Sequence, residues 1–117
     1  MKADIDKVLR LAEERSATIV ELDAARSRRK DISVTLPDGV GGYAFEARDM
    51  TFLVLQDLKY TGGEVSVHVK MPKGKYVAAD VFSGTSVSIT QAEDGLDLHV
   101  VLLPNGSSLI VLRKESQ

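Results

Sequence analysis

Cysteine and tryptophan are both absent from the 117 residues. Without cysteine there is no disulfide, no thiolate nucleophile and no Cys-ligated zinc. The lack suits a reducing compartment, although disulfide-free domains also occur elsewhere. No apolar run approaches the roughly 20 residues of a membrane-spanning helix. The charged opening, residues 1–16, has nothing like the roughly 7–15-residue apolar stretch of a signal peptide. A cytoplasmic location is the resulting expectation, unless the chain is a piece of a longer one. An excess of charge is missing too, because 15 Lys and Arg face 17 Asp and Glu for a net −2. No global field then draws nucleic acid or an anionic membrane, and neither is expected as a partner.

Glycine and proline are unevenly placed. Residues 1–31 contain neither, and all nine glycines and three prolines follow. This divides the chain into a helix and connector over residues 1–31 and a β domain over residues 32–117. In the first part Asp4 is placed to cap a helix. Ile5, Val8, Leu9 and Ala12 recur at helical spacing and make one apolar stripe, while Glu13, Glu14 and Arg15 point to water. A break is expected near Ser16. Residues 17–22 (Thr18-Ile19-Val20-Glu21-Leu22 at their centre) are β-branched enough to read as a strand, with continuation of the helix towards Arg26 as the other possibility.

Beyond residue 31 the apolar period is two. Ile32, Val34 and Leu36 alternate, then Tyr43, Phe45 and Ala47, then Val65, Val67 and Val69. Met50–Leu55 is nearly all apolar and predicts a central strand buried on both faces. Further strands are expected at Tyr76–Phe82, around Val87 and Ile89, at Leu96–Leu102 and at Ser108–Leu112. Pro37-Asp38-Gly39, Thr61-Gly62-Gly63, Pro72-Lys73-Gly74, Ser83-Gly84-Thr85 and Pro104-Asn105-Gly106 supply turns. Asp94-Gly95 reads as a two-residue type I′ hairpin. About eight short strands with turns every ten or so residues predict an antiparallel β-sandwich with an N-terminal α-helix. No segment after residue 31 has room for the crossover helices of a parallel sheet.

Convergent chemistry is sparse. His68 and His99 lie on the polar register of alternating strands, and a shared surface would require the strands to pair in the right register. A His68 or His99 enzyme with a nearby carboxylate is the least favoured of three readings. No His-x-His or Glu-x-x-His spacing offers a metal site, and no metal or cofactor is expected. No Gly-x-Ser-x-Gly elbow or phosphate loop occurs, and the glycines at 39, 41 and 42 read as a turn. Asp80, between Ala79 and Val81, reads as an acceptor for backbone N–H groups of the Ser83-Gly84 turn. Glu46, Asp49, Asp57, Glu64, Asp94 and Asp97 read as solvated and unpaired. The run Arg26-Ser27-Arg28-Arg29-Lys30, flanked by acids, reads as a solvated connector. Phe45, Phe52 and Phe82 are read as core or half-buried. Tyr60, before Gly62-Gly63, is the aromatic best placed to stand exposed and touch a ligand such as a sugar.

The stretch Gly74-Lys75-Tyr76-Val77-Ala78-Ala79-Asp80-Val81-Phe82-Ser83-Gly84 resembles the C-terminal all-β domains attached to glycoside hydrolases. The likeness runs on through Leu96–Leu103 and the ending from Pro104 to Leu112, covering roughly residues 50–113. It implies a non-catalytic accessory module that packs against a catalytic domain or makes weak sugar contact, with the catalytic carboxylates elsewhere; Asp80 and Gly84 would be structural. The alternative is a structural interaction domain that self-associates with another copy through Ile5, Val8, Leu9 and Ala12.

Overall fold

A computed structural model describes residues 2–14, 16–27, 29–47 and 49–115, with the side chains of residues 2–5 outside the description. The chain opens with helix α1 (Lys2–Glu13), followed by α2 (Ile19–Arg26). The first helix begins before Asp4, which therefore lies in its first turn and not at its cap; that side chain, with Ile5, is among those outside the description. Val8 and Ala12 are buried and Leu9 half-buried, as an amphipathic stripe facing a core should be. Glu13 and Glu14 are exposed, and Arg15 lies outside the described residues.

Residues 17–22 are not a strand. Thr18 is extended and caps α2: its hydroxyl accepts from the Glu21 N–H at 3.4 Å, while the Glu21 carboxylate accepts from the Thr18 N–H at 2.8 Å. This reciprocal capping box satisfies two donors that a helix start leaves free. It outweighs the modest helix penalty of Ile19 and Val20. Thr18→Ala should therefore cost about 1 kcal/mol of stability, read as a lower urea midpoint at unchanged slope.

Among the described residues ten strands follow: β1 (Lys30–Ile32), β2 (Val34–Thr35), β3 (Val40–Ala47), β4 (Met50–Asp57), β5 (Gly63–Lys70), β6 (Tyr76–Asp80), β7 (Thr85–Ser86), β8 (Ser88–Gln91), β9 (Gly95–Leu102) and β10 (Ser107–Lys114). They form two antiparallel sheets, ordered β1-β3-β4-β10-β6-β7 and β2-β5-β9-β8. The fold is mainly β and sandwich-like, as expected. The strand count exceeds eight because two runs change sheets partway. Between β1 and β2 the chain crosses at Ser33, whose carbonyl accepts from Lys70 N–H at 3.0 Å. Between β7 and β8 it crosses at Val87, whose N–H reaches the Ala78 carbonyl at 3.0 Å. Each crossing ties one edge of the large sheet to one edge of the small sheet, which leaves only short edge strands.

The molecule has three layers. Alternate residues of the central strand β4 face opposite ways: Leu53 and Leu55 join Val67, Val69, Leu98 and Ile110 between the sheets. Phe52 and Val54 join Val8, Leu22, Ala25, Phe45 and Leu109 beneath the helices. The nearly all-apolar run at Met50–Leu55 thus has a simple cause, since both faces of β4 are covered.

The β8–β9 hairpin corrects one expectation. Gly95 belongs to β9 and does not adopt the positive φ of a type I′ turn. The loop is set one residue earlier, at Glu93-Asp94, closed by the Ala92 N–H donating to the Gly95 carbonyl at 2.9 Å. Glycine is needed at 95 for another reason: a Cβ there would collide with the Val69 carbonyl oxygen of β5.

Candidate functional site

The outer face of the small sheet holds the clearest cluster of chemistry-bearing groups. The β5–β9 register sets His68 opposite Asp97 and Ser66 opposite His99. The two histidines are therefore diagonal neighbours on one face. His68 Nδ1 lies 2.7 Å from Asp97 Oδ1, and Nε2 lies 2.9 Å from Asp94 Oδ1 in the β8–β9 turn. The Asp97 hydrogen bond, helped by the charges of Asp94 and Asp97, raises the His68 pKa against a smaller opposing effect of desolvation. A general base needs a ring nitrogen free to reach substrate, and both nitrogens here face carboxylates. His99 Nε2 lies 3.1 Å from the Thr90 hydroxyl. Asp94 and Asp97 are thus paired with His68 and not isolated, although Asp94 is exposed as its turn position suggested. Among the described residues, no group of three or more His, Cys, Asp or Glu is arranged to hold a metal ion.

A second site lies at the end of the sandwich where β4 passes to β5 and β9 to β10. Asp57, expected to be solvated, is instead only 4% exposed. Its Oδ2 accepts from Gly62 N–H at 2.7 Å and Asn105 N–H at 3.1 Å, and its Oδ1 accepts from Lys59 N–H at 3.1 Å. Burial pushes this carboxyl up, but the N–H groups of Gly62, Asn105, Lys59 and Tyr60 together outweigh it and hold the pKa below the ordinary carboxylate value. Backbone bonds add to the frame: Asp57 N–H to Gly106 O at 2.9 Å, and Leu58 N–H to Gly39 O at 2.8 Å. Three connections, residues 36–39, 58–62 and 103–106, are thereby tied together.

That frame presents apolar side chains to water. Leu58 is 54% exposed, Tyr60 68% and Leu103 73%. Tyr60 sits at φ 63°, a left-handed conformation that costs a non-glycine residue energy and persists only where the surroundings enforce it. Val101, on the outer face of β9 two residues before Leu103, is also exposed.

The remaining residues singled out in the sequence lie apart from this end. Asp80 is buried at the end of β6, and its Oδ1 accepts from Phe82 N–H at 3.0 Å and Ser83 N–H at 3.2 Å. The Gly84 N–H donates to the Asp80 carbonyl at 2.7 Å, with Gly84 at φ 77°. These bonds turn the chain at residue 81, so β6 ends before Phe82. Val8 and Ala12 are buried against the chain's own sheet. Beside them a groove of about 580 Å³ runs over the part of the large sheet the helices leave open, lined by Leu9, Phe52, Val77, Val111 and Arg113. In the basic run, Arg26 lies 4.3 Å from the centre of the Tyr43 ring and 3.1 Å from the Asp31 carboxylate, so it packs and does not merely solvate. Arg28 lies outside the described residues.

Asp57 is the residue that reading the sequence missed. Part of the signal was local, since an aspartate that accepts the N–H two residues on is a common turn device. The bond to Asn105, 48 residues away, had no local signal.

Fold and site together define a helix-backed antiparallel β-sandwich with a pinned, apolar loop end. No protein-family model matches the chain, and no curated protein matches it either.

Proposed function

We propose that the chain is a non-catalytic docking module that packs against a partner domain through the loop end bearing Leu58, Tyr60 and Leu103. The observation that carries this reading is the buried Asp57 carboxylate, which ties the 58–62 and 103–106 connections to each other while the apolar residues on them face water. Exposed apolar side chains concentrated on a preorganised surface suit association, because little ordering cost remains for the binding step. The resemblance of residues 50–113 to glycoside-hydrolase accessory domains supplies a candidate for the partner, a catalytic domain of carbohydrate-active type.

Other readings draw less support from the geometry. Sugar stacking would rest on Tyr60 alone, and one ring offers a small platform. Among the described side chains of the α1 stripe, self-association would have to use Leu9, since Val8 and Ala12 are already buried in their own chain. Catalysis at His68 would require one of its carboxylates to move away.

A photo-crosslinking amino acid at position 60, expressed in the native host, tests the proposal. One discrete crosslinked protein is expected, lost when Leu58 and Leu103 are both changed to Ser and absent when the probe sits at Thr90. Crosslinks equal at both positions, or none at position 60, overturn the docking reading. A change of tyrosine fluorescence with soluble oligosaccharides and no protein crosslink would replace it with sugar binding. A crosslink only to a second copy would replace it with self-association.

A further inference from the structure

His68 sits at the other end of β5 from Tyr60, and its surroundings point to a separate property. Its two ring nitrogens face two carboxylates carried by different pieces of chain: Asp97 belongs to β9, directly across the ladder, and Asp94 belongs to the turn joining β8 to β9. Only the doubly protonated imidazolium has an N–H for each. A neutral ring keeps one N–H and turns a lone pair towards the other carboxylate, so a hydrogen bond becomes a repulsive contact.

We propose that His68 is a proton-operated clasp: protonated, it ties the β8–β9 turn to β5, and on losing its proton it releases Asp94 and frees the turn. Asp94 is the partner that leaves, because it is the more exposed of the two and sits on a loop, whereas Asp97 is fixed in register within the sheet. The Ala92 N–H to Gly95 carbonyl bond at 2.9 Å then still closes the turn on itself, while the Met71 N–H to the Asp94 carbonyl at 3.3 Å and, from the end of β8, the Gln91 amide to the Gly74 carbonyl at 3.0 Å still link it to its surroundings. The charged or titratable groups near His68 are Asp97 and diagonal His99 from β9, Asp94 and its neighbour Glu93 from the turn, and Lys70 two residues along β5. Thr35 of β2 and Thr90 of β8 flank the row without charge. The acids outnumber Lys70 and favour the imidazolium, in keeping with the raised His68 pKa.

The sign follows from that direction. A histidine whose folded pKa is raised contributes its full stabilisation below the ordinary value of 6.5, and loses it as pH rises through the raised folded value. The turn should be closed in mildly acidic solution and open in alkaline solution.

Amide hydrogen exchange of residues 92–95, expressed as protection factors and followed with the His68 imidazole NMR signal from about pH 6 to about pH 9, tests this in the full chain. Protection of the turn should fall about threefold or more, the scale of a partly exposed ion pair, with the same midpoint as the imidazole. Protection at β4 should stay constant. Asp94→Asn should lower the His68 midpoint and flatten the pH dependence of the turn. His68→Gln should leave the turn at its open level at every pH; should that variant not fold, Asp94→Asn decides alone. Turn protection that is constant through the His68 titration, or a His68 midpoint unmoved by Asp94→Asn, overturns the clasp.

Discussion

Phe52→Ala is expected to destabilise the domain by about 3–5 kcal/mol, a large share of the roughly 5–15 kcal/mol that holds a domain folded. Phe52 is fully buried on the helix side of β4, and its ring lies 5.1 Å from that of Phe45 in a stacked pair. Removing it opens a cavity between the helices and the sheet, under Val8 and Leu22. The effect should be uneven across the molecule. Exchange protection of α1 and α2 should fall first, because their apolar faces have no other platform. The β5–β9 ladder, which packs on the opposite side of β4, should keep its protection until global unfolding. Urea denaturation gives the total, and residue-resolved exchange gives the distribution. Val77→Ala, on the exposed side of β6, is the control and should stay within about 0.5 kcal/mol of the parent. A Phe52→Ala loss as small as that of Val77→Ala would mean that the helices do not rest on this sheet.

The two faces of β4 also show how far the sequence could be read. Val65, Val67 and Val69 against Ser66, His68 and Lys70 mark one covered face and one wet face, and alternation reports that directly. The nearly all-apolar run Met50–Leu55 marked two covered faces, yet it could not say what lay on each. The helices supply one cover, and their own residues explain why the second was overlooked. Ile19 and Val20 are β-branched and pulled the reading towards a strand, whereas Thr18 and Glu21 at capping-box spacing carried the stronger signal. The sheet changes at Ser33 and Val87 had no comparable mark. Neither position holds glycine or proline, and the path there is set by which sheet each flanking segment can pair with.

The functional groups were legible in proportion to how local their partners are. Asp80 is satisfied two and three residues along the chain, and its Ser83-Gly84 neighbours were visible beside it. His68 and Asp97 are 29 residues apart. Alternation put each on an outer face, but only the β5–β9 register makes them partners, and a slip of two residues would have separated them. Gly95 carries a similar lesson. A glycine after aspartate suggested a turn conformation, whereas the requirement comes from a neighbouring strand that leaves no room for a Cβ.

Asp57→Asn should have the largest effect on the loop end itself. The substitution preserves size but replaces a carboxylate oxygen with an NH₂ group, so a donor would meet the Gly62 and Asn105 donors or the Lys59 donor. One part of the frame must then come apart whichever way the amide is turned. The melting temperature should drop by several degrees at neutral pH, and the amides of Lys59, Gly62 and Asn105 should exchange faster. The pH dependence identifies the cause. A carboxyl whose folded pKa is lowered contributes its stability above its ordinary value, and loses it as pH falls through the lowered one. The gap between parent and variant should therefore be widest near neutrality and should narrow below about pH 4. A gap that is unchanged in acid would show that shape alone holds the loops. If the gap closes on acidification, the charge on Asp57 is what keeps Tyr60 in its left-handed conformation and Leu58 and Leu103 in place around it. Docking through that surface should then weaken over the same pH range in which Asp57 takes up its proton.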